Sequence, residues 1–495
     1  MLFNSIGFAI FLPIVFLLYW FVTNKKLIAQ NILLLIASYI FYGMWDWRFL
    51  LLLVLISVFN YSIGILIDKS ITDKKRKIWL ITGLFINIGV LGIFKYYNFF
   101  IDSFLDLASL IGYDLPRSTT KIILPVGISF YIFLSLSYII DIYKKNLDAN
   151  GKIIEVLLAL SFFPIILAGP IQRPISLLPQ IAKKREFNYN QAADGLRQIL
   201  WGLFAKVVIA DNLAVYVNDF FLNYSSYSGS TLLLGAIFYT VQIYADFSGY
   251  SDMAIGIAKL FGFNLMRNFA YPYFSRDIIE FWKRWHISLV TWFRDYIFLP
   301  LSFSISWKIK GTNVLFIKKD VFIYIIASAV VWFLTGLWHG ANYKFIVWGM
   351  IHGFFLIVYH IQRNPRKKLF KRIGITNNHL VVVIFENIIT LCIVLIAWIF
   401  FRAENIEHAI NYLSDIFSSS LFSIPHFEGM RKLFPIIILT GFFFLMEWNG
   451  REQQFAIANL GTNWKRPIRY AMYYAIIMAI FFFSGAGKQF IYFQF

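Results

Sequence analysis

RFLLLLVLISVFNYSIGIL, residues 48–66, carries a single charge, Arg48. At 1.5 Å rise per residue, a helix of that length reaches about 28 Å, close to the hydrocarbon thickness of a bilayer. The run is too long and too unbroken for the alternating strands of a membrane barrel. Runs of the same kind recur at about residues 6–22, 27–43, 78–97, 122–140, 152–168, 230–248, 321–337, 343–360, 380–401, 434–447 and 469–484. The expected fold is all-α: a polytopic transmembrane helical bundle of about 10–12 spans. Two stretches read as interfacial or re-entrant helices. Residues 99–111 (FFIDSFLDLASLI) are short and amphipathic, and 285–303 are interrupted by Arg294, Asp295 and Pro300. Residues 169–230, with polar side chains at near-helical spacing, read as a helix in the plane of the interface.

Composition supports this reading. Hydrophobic residues make up 59% of the chain and charged residues 14%, against the roughly 25% charge of a soluble chain. Mean hydropathy is +0.67. The net charge of +19 would point to nucleic acid in a soluble protein. Here the cations sit in short loops, where they set orientation; a phosphate-bearing donor is a second use for them. DKSITDKKRK (68–77), QRNPRKKLFKR (362–372) and the four lysines of 308–319 are assigned to the cytoplasm. That places the N-terminus, WDWR (45–48) and the 403–430 loop outside. Cys392 is the one cysteine, which excludes disulfides and cysteine clusters. The first run lacks a basic leader and a small-residue cleavage site, so it reads as a retained helix.

Ionisable groups inside lipid are expensive and need a reason. Three clusters stand out. YADFSGYSDMAIG (244–256) places Asp246, Ser248, Ser251 and Asp252 in an apolar helix, either as helix packing with an Asp–Arg pair or as a polar site. FWKRWHISLVTWFRDY (281–296) gathers Lys283, Arg284, Trp285 and His286. Two flanking cations would favour a neutral, proton-accepting imidazole, and the aromatic–basic mix suits a donor with phosphates; snorkelling at the interface is the alternative. VWFLTGLWHGANYKFIVWGMIHG (331–353) puts His339 at the turn of a hairpin. From Lys319 the chain climbs about 30 Å before His339, toward the far side of the membrane. Trp338 and Asn342 are its candidate helpers, whereas His352 reads as structural. There is no HExxH, no GxSxG and no Walker motif, and no metal is expected. Histidine-based proton transfer remains.

LPVGISFYIFLSLSYIIDIYKK (124–145), FFPIILAGPIQRP (162–174), YADFSGYSDMAIGIAKLFGF (244–263), NFAYPYFSRDIIEFWKRWHISLVTWFRDYIFLPL (268–301), FLTGLWHGANYKFIVWGMIHG (333–353), WIFFRAENIEHA (398–409) and FIYFQF (490–495) together resemble the membrane-bound O-acyltransferase family, in its alginate O-acetyltransferase branch. The resemblance covers nearly the whole chain. It implies one membrane domain over 1–495, a catalytic core at about 122–360, and helices surrounding a tunnel. It implies that His339 is the main catalytic residue and His286 the second family histidine. The implied reaction takes an acyl group from a cytoplasmic thioester, acetyl-CoA in the polysaccharide branch, and delivers it across a bacterial inner membrane. A periplasmic acetyltransferase and polysaccharide export machinery are the implied partners, with membrane lipid around the chain and no nucleic acid. Lys283, Arg284 and Arg173 are candidates for the donor phosphates, with Trp285, Asp246 and Ser248 also assigned to substrate. Three other readings stand beside it: D-alanyl transfer to teichoic acid from a carrier protein, which shares the fold, a transporter or flippase without chemistry, and a scaffold for an export complex. A transporter would use Asp246 and Asp252 as an ion path, but the paired repeats typical of transporters are not visible.

Overall fold

The computed structural model describes residues 1–116, 122–149, 151–314, 316–372 and 379–485. The FIYFQF segment (490–495) lies outside them. The chain divides into two compact units, Met1–Leu200 with Tyr250–Met266, and Trp201–Gly249 with Arg267–Phe495.

The first unit is built on helices whose starts are written in the sequence. Ser5, Asp46 and Thr72 accept the backbone N–H of Phe8, Arg48 and Lys75, capping Ile6–Leu17, Trp47–Lys69 and Asp73–Leu91. Leu27–Gly43 lies between the first two. Ile128–Tyr143 is buried over almost every residue, as a helix apolar on all sides should be in the middle of a bundle. Polar groups inside this unit find partners. Asn60 and Asn87 exchange amide hydrogen bonds at 3.1 and 2.8 Å. Arg185 donates to Tyr19 Oη and Asn31 Oδ1, both at 2.6 Å.

The second unit holds Ile278–Arg284, Ile287–Phe293, Leu299–Lys308, Lys319–His339, Tyr343–Arg372, Leu380–Arg402, Ile406–Ile416, Met430–Asn449 and Arg466–Phe483. A two-stranded antiparallel hairpin pairs Asn313 with Lys318 and Val314 with Ile317, at the foot of the Lys319–His339 helix. Among the described residues, seven helical runs are long and apolar enough to cross a membrane, and Ile6–Val22, Leu27–Gly43 and Ile128–Tyr143 are shorter apolar helices. Leu380, Val381, Ile384, Phe385 and Ile388 are exposed along one helix, an apolar face that water would not tolerate and lipid does. The protein is a polytopic helical membrane protein.

Three expected elements came out differently. The 152–168 run forms only Ile153–Ser161 as helix. Pro164 follows, and a proline pushes the residue before it out of the α region, so the chain leaves the helix. Residues 169–230, read as an in-plane helix, hold a longer helical run than that reading needs. Tyr189–Leu203, a π-turn at Phe204–Ala210 and Asp211–Leu222 run on as one helical stretch of membrane-crossing length. Its polar residues had disguised it; Lys206, for one, is buried in an ion network. Residues 99–111 continue the preceding helix through a π-turn at Gly92–Tyr96, giving one run over Asp73–Leu110. In the 285–303 stretch Arg294 and Asp295 open a π-turn at Arg294–Phe298 that joins Ile287–Phe293 to Leu299–Lys308 without a gap.

Candidate active site

Lys319–His339 and Tyr343–Arg372 form a hairpin joined by residues 340–342. A side chain at Gly336 would strike the carbonyl oxygen of Phe345, and one at Gly349 that of Trp332. Only glycine at these positions lets the two helix backbones pass so closely. His339 is the last residue of its helix and is buried. Three rings meet it edge-on: Trp348 at 4.7 Å, Trp338 at 4.9 Å and Phe401 at 5.3 Å between centroids. Trp398 stacks behind Trp348 at 5.9 Å. Asn342 is occupied at the next helix start: its Oδ1 accepts the Lys344 N–H at 3.0 Å and its Nδ2 faces the Glu404 carbonyl at 3.5 Å.

His286 is placed by a break in the chain. Asp277 caps Ile278–Arg284 by accepting the Glu280 N–H at 2.8 Å. Trp285 is extended, and His286 then takes a left-handed backbone with φ of 43°. Residues with a Cβ rarely adopt that region, so surrounding contacts must hold it. Asn268 does so. Its carbonyl accepts the Ile287 N–H at 2.9 Å, and its Oδ1 accepts the Ser288 hydroxyl at 2.8 Å. The turn delivers His286 into a buried setting against Phe247 at 4.7 Å, Trp338 at 5.9 Å and Phe269 at 6.4 Å. Trp338 therefore touches the rings of both histidines.

The remaining sequence candidates fall into separate settings. Lys283 is exposed, and Arg284 pairs with Glu280 at 2.6 Å and donates to the Ala270 carbonyl at 3.3 Å. Aromatic rings, rather than these two neighbouring cations, are what pack on the His286 imidazole. Trp285 is buried against Trp398 at 4.9 Å and Phe269 at 5.0 Å. Asp246 binds Lys206 at 2.6 Å, and Lys206 also binds Asp211 at 2.8 Å. Here a lysine fills the place expected of an arginine. Ser248 is buried on the same helix, where Tyr244 donates to Glu447 at 2.8 Å. Arg173 belongs to the first unit, half-buried at the start of Pro174–Ile181. His352 is buried, and its Nδ1 accepts from Trp282 Nε1 at 3.3 Å.

Sequence reasoning missed Asn268, Trp348 and Trp398. The indole nitrogens of Trp348 and Trp398 are buried with no hydrogen-bond partner among the described residues. Buried donors without an acceptor are uncommon and ask for a reason. Neither position carried a signal: Trp398 stands near the end of the 380–401 run and Trp348 near the start of the 343–360 run, where tryptophan is ordinary. Among the described residues, no group of three His, Cys, Asp or Glu side chains is arranged to hold a metal ion.

Residues 151–402 match the family model of MBOAT, the membrane-bound O-acyltransferase family. The chain belongs to that family. This membrane-bound O-acyltransferase is 38% identical over 420 residues to a probable alginate O-acetylase of Pseudomonas aeruginosa, covering 84% of this chain and 75% of that protein. A probable alginate O-acetylase of Pseudomonas putida is 34% identical over the full length of both chains. A peptidoglycan O-acetyltransferase of Helicobacter pylori is 33% identical over 455 residues, 86% of this chain and 81% of that protein. The MBOAT match takes in both His286 and His339 and runs on to include Trp398 and Phe401.

Proposed function

We propose that this acyltransferase moves an acetyl group from a cytoplasmic thioester, acetyl-CoA, through a passage in the helical bundle, for O-acetylation of an exported polysaccharide such as alginate. The observation that carries this reading is His339, buried at the end of a membrane-length helix and joined to His286 through Trp338. The names of the relatives supply the acyl group and the class of acceptor.

In this mechanism a neutral His339 imidazole takes the proton of an acceptor hydroxyl. The oxygen then attacks the thioester carbonyl carbon. As the tetrahedral intermediate collapses, the C–S bond breaks, and the imidazolium returns its proton to the leaving sulfur. The carbonyl oxygen gathers negative charge along the way, and the buried indole N–H groups of Trp348 and Trp398 are the donors assigned to it. Trp338 and Trp285 wall the site, and His286 lies against the other side of Trp338. Lys283 and Arg284 serve the donor phosphates, while Asp246 and Ser248 hold the helix that carries Phe247. The core is the 122–360 region of a single membrane domain, set in a bacterial cytoplasmic membrane with the N-terminus outside. A periplasmic acetyltransferase completes delivery to the polymer alongside the export machinery.

Mass spectrometry of the surface polysaccharide, with and without this gene, tests the reading. Acetyl esters should vanish on deletion and return on complementation. Loss of D-alanyl esters instead, or an unchanged ester content, would overturn it.

A further inference from the structure

A cavity of about 470 Å³ lies between Tyr343–Arg372 and Leu380–Arg402 and takes in Arg276, Asp277 and Ile278, eight to ten residues ahead of His286. Its long wall is apolar: Phe355 and Val358 from one helix, Val382, Phe385, Ile389 and Ile393 from the other. Phe385 and Ile389 are 63% and 44% exposed, so the cavity opens on the lipid-facing side of its helix. The other end is ionic. Arg276 and Arg366 share the carboxylate of Glu386, at 2.8 and 3.1 Å. Arg366 also donates to Tyr359 Oη at 2.8 Å, and Tyr359 donates to Asp277 at 2.7 Å. Glu386 is nearly buried, but each arginine side chain stays about a third exposed, at 32% and 31%. One buried carboxylate thus orients two guanidinium groups that still face the cavity.

An apolar trough leading from the bilayer to a guanidinium pair has the layout of an amphiphile site. The ionic end sets Arg276 and Arg366 against Glu386 and Asp277, and the excess positive charge comes from the sequence around Arg366: 362–372 has six Lys and Arg and no acid. Basic pockets between membrane helices favour anionic headgroups, and arginine binds phosphate oxygens in pairs. We propose that this cavity binds an anionic glycerophospholipid, with an acyl chain along Val358, Val382, Phe385 and Ile389 and the phosphate against Arg276 and Arg366. The lipid braces the two helices whose far ends carry Trp348, Trp398 and Phe401 around His339. This assignment does not depend on which acyl group the active site moves.

The test uses the full chain purified in mild detergent. Native mass spectrometry and thermal stability are measured with added phosphatidylglycerol, phosphatidylcholine or coenzyme A. Phosphatidylglycerol should stay bound and stabilise the protein, with an apparent Kd about fivefold below that of phosphatidylcholine, the factor expected for one basic side chain at an anionic surface. Arg366→Gln should erase the preference between the two lipids. Ile389→Trp, which fills the trough and leaves the ionic end intact, should lose both. Equal binding of the two lipids, or binding of phosphatidylglycerol unchanged in Ile389→Trp, would overturn the proposal. So would stabilisation by coenzyme A that Ile389→Trp abolishes, since the cavity would then belong to a soluble donor.

Discussion

Two buried polar regions of the second unit are built on opposite plans. Around Asp246 the acids have partners: Lys206 stands between Asp246 and Asp211, and Tyr244 donates to both oxygens of Glu447. Around His339 the walls are Trp338, Trp348 and Phe401, and two indole N–H groups nearby have no acceptor among the described residues. The first region ties helices together through these pairings. The second holds buried donors in surroundings of low polarity, where a developing charge would be stabilised most strongly. Buried carboxylates in a membrane chain attract attention in a sequence, yet the less charged region is the better candidate for chemistry.

The largest effect is expected at His339. His339→Ala should lower acetylation by about 10²–10⁴-fold, the range for removing a positioned acid–base group, with normal amounts of protein in the membrane. Lys206→Met should act on folding instead. It leaves two buried carboxylates without their cation, a loss of about 3–5 kcal/mol, seen as reduced abundance and a lower melting temperature. Neutralising the acids together with the lysine, as in Lys206→Met with Asp246→Asn and Asp211→Asn, should recover much of that stability. Trp348→Phe keeps a ring beside His339 and removes only the N–H. It should cut turnover by about a hundredfold with KM little changed, as for loss of one oxyanion donor. An unchanged turnover would remove the indoles from the mechanism.

The smallest expected effect concerns a histidine that does have a counterpart. His408 Nδ1 accepts the Glu404 backbone N–H at 3.3 Å, and its ring stacks on Tyr224 at 4.7 Å. Burial pushes its pKa below the ordinary value; Glu404 opposes that shift, while Arg402 and Lys344 reinforce it. The unfolded chain then takes up a proton at a higher pH than the folded one. Stability is therefore full above about pH 6.5 and declines as pH falls below it. His408→Asn keeps an acceptor that does not titrate, so its melting temperature should vary less between about pH 7.5 and 5 than that of the wild type. A parallel pH dependence would mean that His408 is not the titrating group.

Much of this could be read from residue order alone. Long apolar runs fixed the helical membrane class, because lipid allows few alternatives for an unpaired backbone. His339 was legible at a hairpin turn, because it stands between two long apolar runs. What escaped were pairings between distant positions. Lys206 meets Asp246 and Tyr244 meets Glu447 across helices, which no spacing rule foretells. The Tyr189–Leu222 run was obscured by the polar side chains that those pairings bury. Trp348 and Trp398 read as ordinary apolar residues until their rings were seen beside His339 and Trp285. Asn268 gave no local sign, since its work is to hold a backbone turn some twenty residues further on.

The most direct measurement compares His339→Ala with Lys206→Met in the same cells, as acetyl groups on the polysaccharide per amount of folded protein in the membrane. The account predicts a folded, abundant and inactive His339→Ala, and a scarce Lys206→Met whose remaining folded molecules work at the wild-type rate. A His339→Ala protein with wild-type activity per molecule, or a stable Lys206→Met protein without activity, would contradict it.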